Sequence, residues 1–241
     1  LDCNVATVSF DEPIDSSNMN ILHWQRIASL IEENYTSYDG FVVLHGSDTM
    51  SYSASALSFM LEYLGKPVVF PGSQLPIGDL RTDAKENLIT AIQIASLQKK
   101  GKPTIQEVCL YFEYKLYRGN RTTKINADHF EAFASYNFPP LVTSGLKLQV
   151  QHDLLLKNFT QDKLKVHTSL DTDIALIKLF PGIQQAALKS ILETPNLKGV
   201  VLETYGSGNA TTEKWFLDLL SSAISKGIHI INVTQCSGGM V

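Results

Sequence analysis

Short apolar segments alternate with helical patterns along most of the chain. Apolar residues recur three and four positions apart ahead of the apolar segments at 41–44 and 67–70, so each segment is expected to be a strand that follows a helix. A third helix is predicted from about Asp83, and alternating apolar residues predict a strand over 108–116. This alternation is typical of an α/β fold in which helices cover both faces of a mostly parallel sheet.

The alternation weakens from 138 to about 171, where polar stretches predict a linker. It then resumes with strands predicted at 174–180, 199–202 and 228–233 and helices at 183–192 and 212–223. We therefore predict an N-terminal α/β domain over 1–165, which includes the linker, and a smaller C-terminal α/β domain over 166–241. The second domain has so few strands that we expect it to be incomplete.

Charge and hydropathy argue against two classes of partner. The chain has 20 basic and 24 acidic residues, a net charge of −4, and no run of lysine or arginine. We therefore expect no nucleic-acid partner, because phosphate backbones are bound by clustered positive charge. The longest apolar runs span only a few residues, and residues 1–20 contain four acidic side chains. The sequence predicts neither a membrane span nor a signal peptide.

Cysteine and histidine spacing argue against disulfide and metal chemistry. Cys3, Cys109 and Cys236 are widely separated and include no CxxC pair, which favours free thiols in a reducing cytoplasm. The six histidines form neither an HxH nor an HExxH pattern. The sequence also has no glycine-rich nucleotide loop after a strand, and we interpret 206–209 as a turn. The residue pattern therefore favours neither a metal site nor a nucleotide site.

Three polar segments are candidate sites on the residues alone. The segment 45–50 follows a predicted strand directly, and ligands of α/β sheets bind beyond the carboxyl ends of strands. Ser47 and Asp48 are equally suited to capping the next helix, and spacing alone favours that interpretation. Lys124 is either a solvated surface charge or a lysine held beside a carboxylate. The segment 15–17 is either a turn or a polar ligand loop.

Taken together, these segments resemble those of bacterial cytoplasmic, type I L-asparaginases. The resemblance is carried, in the family's order, by 45–50 (HGSDTM), 71–74 (PGSQ), 117–124 (YRGNRTTK) and 234–236 (TQC). It is extended across nearly the whole chain by 15–19, 134–141 and 205–210. The resemblance implies hydrolysis of the side-chain amide of L-asparagine through a covalent acyl-enzyme, without a cofactor.

The resemblance also implies roles for individual residues. Ser47 matches the hydroxyl residue of the family's Thr-Asp-Lys arrangement, Asp48 its carboxylate and Lys124 its amine. Asp48 would also attract the α-ammonium group of the substrate. The match places Ser16 at the substrate's α-carboxylate with Asp15 and Ser17 beside it, places Ser73 along the amide pocket, and places Asn209 in a loop that approaches a neighbouring subunit. A homodimer or homotetramer is therefore expected.

The sequence departs from the family's pattern in two respects. Ser47 stands where the family usually has threonine, so its hydroxyl loses the methyl group that restricts the rotamer. The family's Thr-Gly-Gly-Thr-Ile segment, whose first threonine attacks the amide, has no equivalent among the 241 residues. We therefore expect a chain that is truncated at both ends and lacks the primary nucleophile.

Two other functions fit parts of this pattern. An asparaginase-like protein that binds an amino acid without turning it over would need no nucleophile. The amidase subunit of an archaeal-type tRNA-dependent amidotransferase would share the domain, but the net charge of −4 and the lack of a basic extra domain argue against it.

Overall fold

The computed structural model describes residues 3–156 and 163–241, which form two units at Leu1–Thr168 and Ser169–Val241. Each unit has its own main sheet with helices packed on it, so the α/β class is confirmed. Residues 157–162, which belong to the predicted linker, lie outside the described part of the chain.

The first unit is built on a six-stranded sheet. Its strands lie side by side in chain order: β1 (Phe41–Val42), β2 (Val68–Pro71), β3 (Val108–Phe112), β4 (Lys115–Arg118), β5 (Val142–Thr143) and β6 (Gln149–Val150). β1, β2 and β3 run parallel, whereas β4, β5 and β6 each run antiparallel to the strand before. The sheet is therefore mixed, with its parallel half nearest the segment 45–50. β2 and β3 are buried along their whole length, as expected for strands covered on both faces.

Three helices pack around this sheet: α1 (Ile21–Asn34), α2 (Met50–Met60) and α3 (Ala84–Ala95). α1 begins at Asn20, whose side chain accepts a hydrogen bond from the Leu22 amide and caps the helix. α2 ends at Met60, earlier than the predicted end near Gly65, because Leu61–Glu62 pairs with Lys165–Val166. The remaining short elements are 3-10 turns at Ser16–Asn18 and Gly119–Arg121 and two-residue strand pairs, Gln98–Lys99 with Lys102–Pro103 and Thr123–Lys124 with Phe133–Ala134.

The prediction of a single strand over 108–116 is wrong in one respect, because this segment belongs to a hairpin of two strands. β3 and β4 pair antiparallel with Phe112 opposite Lys115, which leaves Glu113 and Tyr114 as a two-residue turn. Both turn residues have positive φ, 43° and 63°, as a type I′ turn requires. The usual glycine or asparagine signal for this turn is missing from the sequence, so the alternation looked continuous.

The linker predicted from 138 contains two strands of the first sheet. Val142 pairs with Leu116 on one side and with Val150 on the other, and Leu141 is fully buried. The chain beyond β6 is held by a buried ion pair between Arg118 and Glu107, at 2.5 Å. Arg118 donates to the Leu154 carbonyl and Glu107 accepts from the Leu156 amide. Residues 151–156, which were predicted to be part of the linker, therefore belong to the packed first unit.

The second unit has three parallel strands, β7 (Ile174–Lys178), β8 (Gly199–Thr204) and β9 (His229–Thr234), in that order. Two helices, α4 (Gln185–Leu192) and α5 (Lys214–Ser225), pack on one face of this sheet. The other face carries exposed apolar side chains: Ile174, Leu176 and Ile231 are 61%, 65% and 61% exposed. Among the described residues, no helix has the length and apolar character needed to cross a membrane.

Candidate active site

Lys124 contacts both residues of the segment after β1 that the sequence singled out. Its Nζ donates a hydrogen bond to Ser47 Oγ at 2.9 Å and to Asp48 Oδ1 at 2.6 Å. The Lys124 side chain is 20% exposed and that of Asp48 is 64% exposed. An ion pair that is so open on one side adds only about 0–1 kcal/mol to stability, so the geometry matters here more than the energy. Lys124 therefore brings together the three side chains that the family resemblance groups.

Ser47 and Lys124 reach the site by different routes along the chain. Ser47 follows a parallel strand, as expected. The sheet strand that precedes Lys124 is β4, which is antiparallel and ends at Arg118, on the opposite edge of the sheet from Ser47. The chain then packs along α2, where a Cβ at Gly119 would lie 2.9 Å from the Val108 carbonyl oxygen and 3.1 Å from that of Ala54. Glycine is therefore needed at this crossing. The short strand Thr123–Lys124 returns the chain to the segment 45–50.

The segment 15–18 lies directly against the loop that contains Ser47. Ser16 is buried, its carbonyl accepts from Thr49 Oγ1 at 2.6 Å, and a Cβ added at Gly46 would lie 2.6 Å from Ser16 Oγ. Asp15 Oδ1 accepts from the Ser17 amide and hydroxyl at 2.9 and 2.8 Å, and these hydrogen bonds lower the pKa of Asp15. The structure thus brings Ser16 next to the loop of Ser47, while Asp15 and Ser17 satisfy each other.

His45 fixes the peptide that precedes Ser47, a role the sequence analysis missed. Trp24 Nε1 can only donate, so Ser53 Oγ accepts from it at 2.8 Å, and Ser53 Oγ also lies 2.8 Å from His45 Nε2. The Gly46 carbonyl can only accept, so His45 Nδ1 carries a ring proton and donates it at 2.7 Å. Burial lowers the pKa of His45 and favours the neutral ring, in which Nε2 accepts from Ser53 Oγ. The sequence signal for this role of His45 was Ser53, which lies eight residues further along the chain and is buried on α2.

The two other predicted residues lie in different places. Ser73 follows β2 in a loop packed on the first one, since a side chain at Gly72 would lie 3.2 Å from the His45 carbonyl oxygen. Asn209 belongs to the second unit, where its backbone and that of Tyr205 exchange two hydrogen bonds of 2.8 Å across a tight turn. The interpretation of 206–209 as a turn is confirmed. Within the described ranges, no three His, Cys, Asp or Glu side chains are grouped closely enough to hold a metal ion.

The fold and the site define an α/β protein in which a serine, an aspartate and a lysine meet beyond a parallel strand. Residues 3–156 match the N-terminal domain of the asparaginase family, and residues 173–241 match the glutaminase/asparaginase C-terminal domain. The chain belongs to the asparaginase family.

Several named proteins are similar to this chain. The chain is 46% identical over 238 residues to the 60 kDa lysophospholipase of Mus musculus, covering 98% of this chain and 41% of the relative. It is 45% identical over 228 residues to L-asparaginase 1 of Escherichia coli K12, covering 95% and 65%. The crystal structure of L-asparaginase I from Vibrio cholerae superimposes with a TM-score of 0.87 at 41% identity, covering 94% of this chain and 67% of that one. The chain thus spans less than two thirds of either curated relative.

Proposed function

We propose that this chain carries the proton-transfer and substrate-binding part of an amidohydrolase that converts L-asparagine to L-aspartate and ammonia. The observation that carries the proposal is the placement of Lys124 Nζ within hydrogen-bond distance of both Ser47 Oγ and Asp48 Oδ1. In its neutral form, an amine that contacts a hydroxyl and a carboxylate can accept a proton from the hydroxyl or from a water beside it. Relatives named L-asparaginase in Escherichia coli and Dirofilaria immitis, 45% and 38% identical, support the choice of substrate.

The proposed roles follow the charges of asparagine. Asp48 attracts the α-ammonium group and holds Lys124, Ser16 binds the α-carboxylate with Asp15 and Ser17 beside it, and Ser73 lines the amide pocket. His45 holds the Gly46 carbonyl, so the planar peptide directs the Ser47 amide N–H the opposite way. That N–H is a suitable donor to the amide oxygen as negative charge develops there.

The proposal includes an acyl-enzyme and an attacking hydroxyl that these 241 residues do not carry in the family's arrangement. Covalent catalysis divides amide cleavage into two easier steps only when that nucleophile is present. We therefore expect very slow ammonia release from asparagine by the chain as it stands. A version preceded by a strand that ends in Thr-Gly-Gly-Thr should be active.

Lys124→Met tests the proton-transfer role in the extended version. The substitution removes the amine but keeps much of the side-chain volume, so ammonia release should fall by roughly 100-fold or more while asparagine binding changes less. Lys85→Met, at an exposed position on α3, is the matched control and should leave the rate unchanged. Near-normal turnover by Lys124→Met, with an intact circular dichroism spectrum, would contradict the role. Full activity of the unextended chain would instead identify Ser47 as the attacking group.

Two further functions would give different results in parallel measurements of asparagine binding, ammonia release and fatty-acid release. A protein that binds asparagine without turnover would show binding in calorimetry but no ammonia even when extended. Ester hydrolysis of a lysophospholipid is favoured by the names of the mouse and human relatives, 46% and 45% identical. It would show as release of fatty acid. The exposed ion pair at the site favours a zwitterionic amino acid over an acyl chain.

We also propose a cytoplasmic homodimer or homotetramer in which Asn209 lies near a neighbouring subunit's site. The cytoplasmic location is supported by three free cysteines and by a structural neighbour from Campylobacter jejuni described as a probable cytoplasmic L-asparaginase. The assembly is supported by the exposed position of Asn209 in its turn. The proposed domain boundary at 165/166 lies close to the division after Thr168.

A further inference from the structure

The loop after β2 carries Ser73 and is held by side chains from the first turn of α3. Asp83 Oδ2 and Oδ1 accept from the Gln74 amide at 3.0 and 3.1 Å, and Oδ1 accepts from the Leu75 amide at 3.2 Å. Asn87 Nδ2 donates to the Gly72 carbonyl at 2.8 Å and to Asp83 Oδ2 at 3.1 Å. The backbone is therefore fixed on both sides of Ser73.

Asp83 is placed to cap α3, yet its carboxylate does not do so. It is the N-cap residue of the helix, a position where aspartate ordinarily accepts from the helix's own amides, but its side chain makes no capping hydrogen bond. Thr82 Oγ1 accepts from the Ala84 amide instead, at 3.0 Å. The carboxylate is used for the Ser73 loop, which separates a positioning role from ordinary helix stabilisation.

Gln74 extends this hold to the segment that carries Lys124. Its Nε2 donates to the Ala127 carbonyl at 3.0 Å and to the His129 carbonyl at 2.8 Å, while its own amide is held by Asp83. The segment 127–129 begins three residues after Lys124. One carboxylate is thus linked, through Gln74, to the Ser73 loop and to the segment that follows Lys124.

We propose that Asp83 and Asn87 are positioning residues that set the Ser73 loop and, through Gln74, the position of Lys124 against Ser47 and Asp48. The effect on a bound substrate rests on the proposed function, whereas the effect on the loops and on Lys124 does not. Asn87 is 1% exposed and its Oδ1 has no partner in the described structure, so this side chain is kept buried at a cost that its two amide hydrogen bonds offset.

The experiment compares Asp83→Ala with Glu86→Gln in the whole chain. Glu86 lies in the same helical turn, but its carboxylate accepts from Thr90 and Tyr111 and does not contact the loop. In Asp83→Ala we expect hydrogen exchange at the Gln74 and Leu75 amides to accelerate by roughly 10- to 100-fold, the range for losing hydrogen bonds to a charged group. Exchange in Glu86→Gln should stay within a few-fold of the parent chain.

The reactivity of Lys124 measures whether the hold of Asp83 on the Ser73 loop extends to the candidate site. Competitive labelling with acetic anhydride, read by mass spectrometry against Lys85, should rise several-fold at Lys124 in Asp83→Ala and in Gln74→Met, and should not rise in Glu86→Gln. Asp83→Asn keeps one acceptor oxygen and should be intermediate, which also serves if Asp83→Ala fails to fold. Unchanged exchange at Gln74 and Leu75, or faster exchange with unchanged labelling of Lys124, would overturn the proposal. Failure of the parent chain to bind asparagine in calorimetry would count against the proposed function alone.

Discussion

At the scale of single residues, hydrogen-bond donors and acceptors decide more than charge does. The Gly46 carbonyl can only accept, so Nδ1 of the His45 ring carries a proton, and burial lowers the pKa of the ring and favours its neutral form. The sequence placed Ser47, Asp48 and Lys124 only through family resemblance. Their spacing alone did not distinguish a site from a helix cap, because the same residue types serve both.

The His45 ring gives a pH dependence whose sign is fixed. Its pKa in the folded state is lowered by burial, so below the usual value near 6.5 the unfolded chain binds the proton first. The stability that this neutral ring contributes is complete above that pH and is lost as the pH falls toward the folded pKa. Between pH 7 and 5 the free energy of unfolding should fall more steeply than in His45→Gln. The difference should be at most about 1.4 kcal/mol per pH unit, the limit for one proton.

Urea unfolding at several pH values measures this difference. His129→Gln is the matched control, because it removes an exposed histidine side chain that takes no part in the hydrogen bonds of His45. Parallel profiles for the parent chain and His45→Gln would show that the ring is not held neutral.

At the scale of elements, apolar periodicity predicted the type of most helices and strands, and it failed where local signals were missing. α3 begins within a residue of its predicted start at Asp83. The β3–β4 hairpin was missed because Glu113 and Tyr114 occupy a turn that usually holds asparagine and glycine. β5 and β6 were missed because two-residue strands show no periodicity, so only their pairing with β4 and with each other defines them.

The same hairpin turn predicts a stabilising change. Glu113 and Tyr114 adopt left-handed conformations that strain a residue with a side chain, and Tyr114 is 54% exposed, so little packing is lost on replacing it. The double variant Glu113→Asn, Tyr114→Gly should raise the free energy of unfolding by about 0.5–1 kcal/mol. The midpoint of urea unfolding measures the gain. The opposite replacement, Tyr114→Val, should lower the midpoint, and a rise there would show that the turn is not strained.

At the scale of the whole molecule, the candidate site is assembled from segments that are distant in sequence. Ser16 and Ser47 lie close together because the segment 15–18 packs on the loop after β1. Lys124 joins them from a segment that follows the antiparallel strand β4. The sequence predicted the α/β class and the loop after β1. It could not predict the return path of Lys124, since that path depends on the close contact of Gly119 with α2.

The proposed assembly gives a prediction at this scale. Light scattering at micromolar concentration should return a dimer or a larger oligomer. Asn209→Arg, which adds bulk and charge at the proposed contact, should weaken association by roughly tenfold or more. Ser221→Arg, on the exposed side of α5, should not weaken it. A monomer at every concentration tested for the parent chain would contradict the assembly.

The exposed apolar side chains of the second sheet are expected to govern how the chain behaves in chromatography and in salt precipitation. Leu176, Val201 and Ile231 lie in register across the three strands, and together with Ile174 they form an apolar strip on the side away from the helices. Lys178 and Glu203 lie side by side in the next row of that face and form an ion pair of 3.8 Å. Kosmotropic salts strengthen the association of such surfaces, so the chain is expected to bind hydrophobic-interaction resins tightly and to precipitate early in ammonium sulfate.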